Sequence, residues 1–230
     1  MKKLICILLS CLFCFTFFAG CNKKDKEWEK QVAEYRQNKM TTYQKENEET
    51  LDYEVDIAFL GDSLTDMYDV KKYYPNYVVS NRGIGGDTTY DLENRLQVSL
   101  FDLKPKVATL LIGANNMEKM FENYERIIVS IKENAPNTKL VILSLTAMGG
   151  KHWGQLKELA AYNNVKIKML AEKYNLPYVD LYSSLINYDT MEICEEYTTD
   201  GGHLTEKGYE VITNAITPVI ENQLNNWKLN

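Results

Sequence analysis

Apolar residues follow two alternating rhythms along most of this chain. Short runs rich in β-branched and aromatic residues, Val55–Leu60, Tyr77–Asn81, Val107–Ile112, Leu140–Leu145 and Tyr178–Leu181, have the length of buried strands. Between them, apolar positions recur every three or four residues, the spacing of one helix face. Thr88–Leu100 carries Tyr90, Leu92, Leu96 and Leu100 in this way. Met117–Asn134 carries Met120, Phe121, Tyr124, Ile127, Ile128 and Ile131. Leu156–Tyr174 and Lys207–Leu224 repeat the pattern, Thr205 stands as a cap before the last, and Val70–Tyr74 is a short helical segment. Strands that alternate with helices, with almost no hairpin signals, imply parallel pairing through right-handed crossovers. The expected fold class is therefore α/β, a three-layer α/β/α sandwich around a five-stranded parallel sheet, built by residues 51–230. No internal repeat and no second core interrupt the pattern.

Ahead of this domain the pattern changes twice. Lys2 and Lys3 precede the apolar stretch Leu4–Phe18, which gives way to Ala19, Gly20 and Cys21. That stretch is short for a membrane span, which needs about 20 residues, and residues 1–20 read as a signal peptide. Small residues followed at once by cysteine resemble a bacterial lipobox, with Phe18 in place of the usual leucine. The expectation is an exported bacterial lipoprotein, anchored at the outer face of the cell membrane by lipid on Cys21. Residues 21–50 are strongly charged and contain no Gly or Pro, and Trp28, Val32 and Tyr35 share one helical face. This segment reads as a charged, partly helical tether that holds the domain off the membrane, with its apolar stripe available to dock on the domain.

Composition narrows the function. The chain has 230 residues, 45% hydrophobic and 25% charged, as in an ordinary globular domain. A net charge of −6 and the lack of a Lys/Arg-rich block exclude nucleic acid as an expected partner. Cys6, Cys11 and Cys14 lie in the signal, so lipid on Cys21 would leave Cys194 without a disulfide partner. No cysteines or histidines have zinc-site spacing, so neither a metal nor a cofactor is expected.

Polar residues gather after the strands. The first strand ends in Gly61-Asp62-Ser63-Leu64, the second in Asn81-Arg82-Gly83-Ile84-Gly85-Gly86-Asp87-Thr88, and the third in Gly113-Ala114-Asn115-Asn116. After the fifth, past a longer excursion, comes Asp200-Gly201-Gly202-His203-Leu204. In a parallel sheet all four clusters lie along one edge, where open α/β sheets hold their ligands. A serine hydroxyl is a poor nucleophile near neutral pH and needs a histidine within hydrogen-bond reach. The mature chain offers only His152 and His203. His203 stands three residues after Asp200 with two glycines between, so one turn can present both side chains. The expected catalytic set is Ser63, His203 and Asp200, with Ser63 N–H, Gly86 N–H and the Asn115 amide as oxyanion donors. Asp62 is expected to hold its turn, and Asp87 and Asn116 to brace the site loops. Gly149-Gly150-Lys151-His152-Trp153-Gly154 follows the fourth strand; there His152 and Trp153 are candidate contacts to a sugar, or parts of a flexible loop with one anchoring aromatic. Nucleotide binding is disfavoured: no P-loop lysine follows Gly85-Gly86, and the glycine spacing does not match Gly-x-Gly-x-x-Gly.

Gly-Asp-Ser-Leu, the glycine block with Asn81 and Gly86, Gly-x-Asn and Asp-x-x-His, in this order, resemble the SGNH (GDSL) hydrolase superfamily. Ser63, Gly86, Asn115 and His203 stand at the positions that give it its name. The stretch Ile84–Thr89, Arg95-Leu96, Lys104–Val107, Gly113–Asn116 and His203-Leu204-Thr205 before Gly208-Tyr209 is similar to the catalytic subunits of platelet-activating-factor acetylhydrolase. Many superfamily members have Asp where this chain has Asn116, and Asn agrees with the acetylhydrolase branch. The resemblance covers Asp56 to about Ile220. It implies a flavodoxin-like sandwich and a metal-free ester hydrolase with an open site suited to short acyl groups. Removal of an O-acetyl group from a carbohydrate or cell-wall glycan is the first expectation for a surface lipoprotein. A lysophospholipase or thioesterase is the alternative, and a catalytically silent carbohydrate-binding module is disfavoured by the intact Ser-Gly-Asn-His set. No Gly-x-Ser-x-Gly elbow is present, so the larger α/β-hydrolase family fits worse.

Overall fold

A computed structural model describes residues 23–229, with side chains from residue 30. The expected signal and Cys21 lie outside the described residues. In chain order the elements begin with helix α1 (Lys23–Glu49), strand β1 (Ile57–Gly61) and the short helices α2 (Ser63–Asp66) and α3 (Val70–Tyr73). Then come β2 (Val79–Gly83), α4 (Thr89–Asn94), β3 (Val107–Leu111), α5 (Phe121–Asn134), β4 (Lys139–Leu143), α6 (Gly150–Trp153) and α7 (Lys157–Lys173). The chain ends with β5 (Tyr178–Val179), α8 (Tyr182–Leu185), the strand pair β6 (Ile186–Asn187) and β7 (Glu192–Ile193), and α9 (Glu206–Asn225). No helix among the described residues is long and apolar enough to cross a membrane.

The five main strands form one sheet in the order β2-β1-β3-β4-β5, and every pair is parallel. β1, β3 and most of β4 are buried on both faces, as a parallel sheet covered by helices requires. Ile57, Phe59, Val107, Leu111, Val141 and Leu143 face one apolar layer with Tyr209, Ile212, Ile216 and Ile220 of α9. Leu60, Ala108, Leu110, Leu140 and Ile142 face the opposite layer with Leu92 of α4, Tyr124, Ile127, Ile128 and Ile131 of α5, and Ile167 of α7. The α/β fold with a five-stranded parallel sheet is thus as the pattern predicts.

Three local differences have physical causes. β2 begins two residues later than its apolar run because the Asp56 carboxylate accepts the Val78 N–H at 2.9 Å, and pairing with β1 starts at Val79. The helix expected across 88–100 stops at Asn94 and resumes as a π turn, Gln97–Phe101. The break falls at Arg95, whose guanidinium turns into the protein. The antiparallel β6–β7 pair escapes sequence reading because strands of two residues carry no period.

Arg95 is a buried charge with four hydrogen-bond partners. Its guanidinium donates to Asp87 Oδ2 at 2.6 Å, Arg82 O at 2.9 Å, Ser99 Oγ at 2.7 Å and Gly61 O at 2.9 Å. It therefore ties the ends of β1 and β2 to the loop after β2. Removing one partner of a buried ion pair typically costs about 3–5 kcal/mol. Arg95→Met is expected to lower the unfolding free energy by about 3 kcal/mol or more, read from urea denaturation. A loss under about 1 kcal/mol would show that the two strand ends do not depend on it.

Candidate active site

The neighbouring strands of the sheet bring three sequence clusters together. Gly61 is in register with Gly83 on one side and Leu111 on the other, so the loops after β1, β2 and β3 leave the sheet side by side. They do so beside the point where the strand order reverses, where open α/β sheets hold ligands. Ser63 opens α2, and Asp62 caps it by accepting the Leu64 N–H at 3.1 Å. The Asn81 amide pins this turn by donating to Thr65 O at 2.6 Å and Tyr68 O at 2.9 Å.

The fourth cluster arrives from outside the sheet. A bridge between Thr198 and Leu204 closes the loop, and Thr199 N–H donates to His203 O at 2.9 Å. Gly201 has φ 93°, a left-handed conformation, and a Cβ there would lie 1.9 Å from Gly149 O; only glycine fits both conditions. The turn lets Asp200 Oδ1 accept the N–H groups of Gly202 at 2.9 Å and His203 at 2.8 Å. Asp200 Oδ2 lies 2.8 Å from His203 Nδ1. Burial alone would raise the Asp200 carboxyl, but the His203 ring and these two amides hold it well below the usual carboxylate range. An ionised Asp200 accepts, so Nδ1 carries the proton and Nε2 is left to accept. Nε2 stands 3.0 Å from Ser63 Oγ.

The candidate oxyanion donors stand on the loops after β1, β2 and β3, which leave the sheet side by side. Gly86 has φ 82°, which aims its peptide in a direction a residue with Cβ rarely adopts. The Asn115 amide donates to Asp87 O at 2.9 Å, tying the loop after β3 to the glycine loop. Neither Ser63 N–H nor Gly86 N–H donates to another group among the described residues. Asp87 is fully buried and bonded to Arg95 and to Arg36 Nε at 2.9 Å. Burial raises its carboxyl, and Arg95 and then Arg36 oppose the rise. Asn116 bonds Thr89 through both ends of its amide, at 2.9 and 3.2 Å.

Trp153 is buried, 8% exposed, with its ring edge-on to the His203 imidazole at 5.7 Å between centroids. It also lies against Gly202, so its face is turned to the protein and not offered to a sugar. Its contact is with the imidazole, which it packs in place. His152, one residue earlier, is exposed on α6. Sequence reasoning assigned no part to Arg36, Tyr35, Lys39 or Asp66, all of which reach this site, and none to Arg95. A charged residue between Leu92 and Leu96 on an apolar helix face was the available signal for Arg95. Among the described residues no group of His, Cys, Asp or Glu could hold a metal ion.

The parallel sheet and the serine site at its carboxyl edge define an α/β ester hydrolase of the SGNH type. The model of the GDSL-like lipase/acylhydrolase family matches residues 59–211, and the chain belongs to that family. It is 29% identical over 178 residues to the platelet-activating factor acetylhydrolase IB subunit alpha2 of Rattus norvegicus, covering 74% of this chain and 77% of the relative. Among solved structures, a putative acylhydrolase from Bacteroides fragilis superposes with TM-score 0.70 at 25% identity, over 79% of this chain and 95% of its own. An acetylxylan esterase from Geobacillus stearothermophilus has the same fold, with TM-score 0.60 at 15% identity over 74% and 96% of the two chains.

Asp62 supplies a pH test. It is 1% exposed, and burial raises its carboxyl to about 7 against the opposing pull of Leu64 N–H and His203. An unfolded aspartate titrates near ~4. Between that value and about 7 the folded chain keeps a proton that the unfolded chain releases, so Asp62 makes stability fall as pH rises through this window. Asp62→Asn is expected to flatten that fall in urea denaturation at pH 4.5 to 7.5. Parallel wild-type and variant profiles would place the Asp62 titration elsewhere.

Proposed function

We propose that this enzyme removes a short acyl group, an O-acetyl, from a carbohydrate or cell-wall glycan through a Ser63–His203–Asp200 triad. The hydrogen-bonded chain from Asp200 through His203 to Ser63 Oγ is the observation that carries this reading. Ser63 Oγ attacks the ester carbonyl while Nε2 takes the hydroxyl proton, and Asp200 stabilises the imidazolium and holds its tautomer. Ser63 N–H, Gly86 N–H and the Asn115 amide receive the negative charge of the tetrahedral oxygen. The intermediate collapses, Nε2 protonates the leaving alcohol, and an acyl-enzyme remains. Water then gives its proton to Nε2 and attacks the acyl carbon, and Nε2 returns that proton to Ser63 as the carboxylic acid leaves.

The acetyl preference is supported by the name of the rat relative, an acetylhydrolase, and the glycan by the surface address expected of the chain. With p-nitrophenyl acetate, Ser63→Ala and His203→Ala are expected to abolish turnover, and Asn115→Ala to lower kcat by about 10²–10³. A fluorophosphonate should label Ser63 and fail to label the His203→Ala chain. Full activity in the Ser63 variant would overturn the triad. Rates should fall as the acyl chain lengthens from acetate to octanoate; a rise would favour a lysophospholipase or thioesterase. Acetate release from a panel of acetylated glycans would identify the alcohol.

We also propose that Cys21 is lipidated after removal of residues 1–20, leaving the enzyme at the outer face of the membrane. The support is the Ala19-Gly20-Cys21 pattern behind the apolar stretch. Cell fractionation should find the chain with membranes and Cys21→Ser in the soluble fraction. Equal membrane association of both would overturn the anchor.

A further inference from the structure

Helix α1 precedes the region matched by the family model, 59–211. Most of its described residues are exposed, yet one stripe turns inward: Val32, Tyr35, Arg36, Lys39, Met40, Tyr43 and Asn47, at the three- and four-residue steps of a single helix face. Three of these seven, Arg36, Lys39 and Asn47, carry a charge or an amide, so hydrophobic burial alone does not explain where the stripe docks. At its far end Tyr43, buried, donates to Gly83 O at 2.6 Å, and Asn47 donates to Val98 O at 2.8 Å.

The nearer end engages two carboxylates, Asp66 and Asp87, which stand on either side of Gly86 in the contact network. Lys39 Nζ donates to Asp66 Oδ1 at 2.6 Å, and the Tyr35 hydroxyl donates to Asp66 Oδ2. Asp66 closes the short helix that Ser63 opens, and its Oδ2 accepts the Gly85 N–H at 2.9 Å. Arg36 Nε donates to Asp87 Oδ1 at 2.9 Å, and Arg36 also pairs with Asp91 at 3.1 Å. Arg95 already takes the other oxygen of Asp87, Oδ2. The Arg36 contact is therefore not needed to give Asp87 a counter-charge; it fixes the rotation of the carboxylate. The residues on either side of Gly86 are thus tied to groups that α1 grips, Gly85 through its N–H on Asp66 and Asp87 through its own carboxylate, and the Asp87 carbonyl in turn accepts the Asn115 amide. The Tyr35 ring comes close as well: a Cβ on Gly85 would lie 4.0 Å from it and 3.9 Å from Ser63 Cβ.

We propose that α1 is part of the working enzyme, with Tyr35, Arg36 and Lys39 as positioning residues that hold the Gly86 N–H and the Asn115 amide at the oxyanion site beside Ser63. This deepens the esterase reading above and rests on it. A helix that only connects a domain to its anchor has no reason to place two cations and a phenol on the carboxylates that frame one glycine. An oxyanion donor works because it is aimed before charge develops, and misplacement by about 1 Å can cost ~10²-fold in rate. The segment before the family domain thus supplies a fifth support to the site, beside the loops after β1, β2 and β3 and the Asp200–His203 turn.

The test uses the full chain with p-nitrophenyl acetate, at a temperature where circular dichroism shows every variant folded. Arg36→Gln is expected to lower kcat about 10-fold or more with KM within about twofold of wild type, because donors aimed at the tetrahedral oxygen act on the transition state more than on the bound ester. Arg36→Lys, which keeps the charge on Asp87, should recover part of the loss. Tyr35→Phe, which removes one hydroxyl and little else, should lower kcat about threefold or more and serves as the readout if Arg36→Gln does not fold. Asn47→Ala loosens the far end of α1, and is expected to leave kcat unchanged even if the melting temperature drops. A kcat within twofold of wild type in folded Arg36→Gln and Tyr35→Phe chains, or a loss matched by Asn47→Ala, would overturn the proposal while leaving the esterase reading intact. Absence of turnover in the wild-type chain would overturn both.

Discussion

The buried Arg95 guanidinium cannot be left with unmade hydrogen bonds, and satisfying it organises the carboxyl edge of the sheet. A charge removed from water is tolerated only where partners are close and well aimed. Gly61 O, Arg82 O, Ser99 Oγ and the Asp87 carboxylate provide them. Two of these partners are strand ends and one is the residue that follows Gly86. The same interaction therefore fixes where the turn that carries Ser63 begins and where the glycine loop finishes. The helix break also falls at Arg95, between the α-helical turn that ends at Asn94 and the π turn from Gln97.

Asp62 and Asp200 show how environment separates two like groups beside one histidine. Asp200 receives two backbone N–H groups and the imidazole N–H and is held ionised. Asp62 is more deeply buried, receives the Leu64 N–H, and is pushed up to about 7. The first suits the stabiliser of an imidazolium. The second suits a helix cap in a dry setting, where a neutral carboxyl near neutral pH avoids placing a second full negative charge against His203. Trp153 adds to this by packing edge-on against the imidazole and limiting its rotation.

Helix α1 belongs to the same network by its contacts, although its composition resembles that of a solvated linker. Partly exposed ion pairs add little to stability on their own, so the Arg36, Lys39 and Tyr35 contacts are better understood by what they aim than by what they contribute to folding. Their targets are each bonded a second time, Asp66 to the Gly85 N–H of the glycine loop and Asp87 to Arg95.

By itself the sequence determined the layer order, the parallel pairing and the edge at which polar residues collect. Each follows from local periodicity and from short connections, which one chain segment can show. The Asp200–His203 pair was legible for a similar reason, an i, i+3 spacing with two glycines between, and Ser63, although 140 residues from His203, was legible as the residue just past a strand that ends at the polar edge. Only tertiary structure decided that Arg95 lies inside, that the Trp153 face is covered, and that Tyr35, Arg36 and Lys39 reach the site. Those outcomes depend on partners 27 to 51 residues away for the helix contacts, and no period in the chain marks a hydrogen bond made across such a distance.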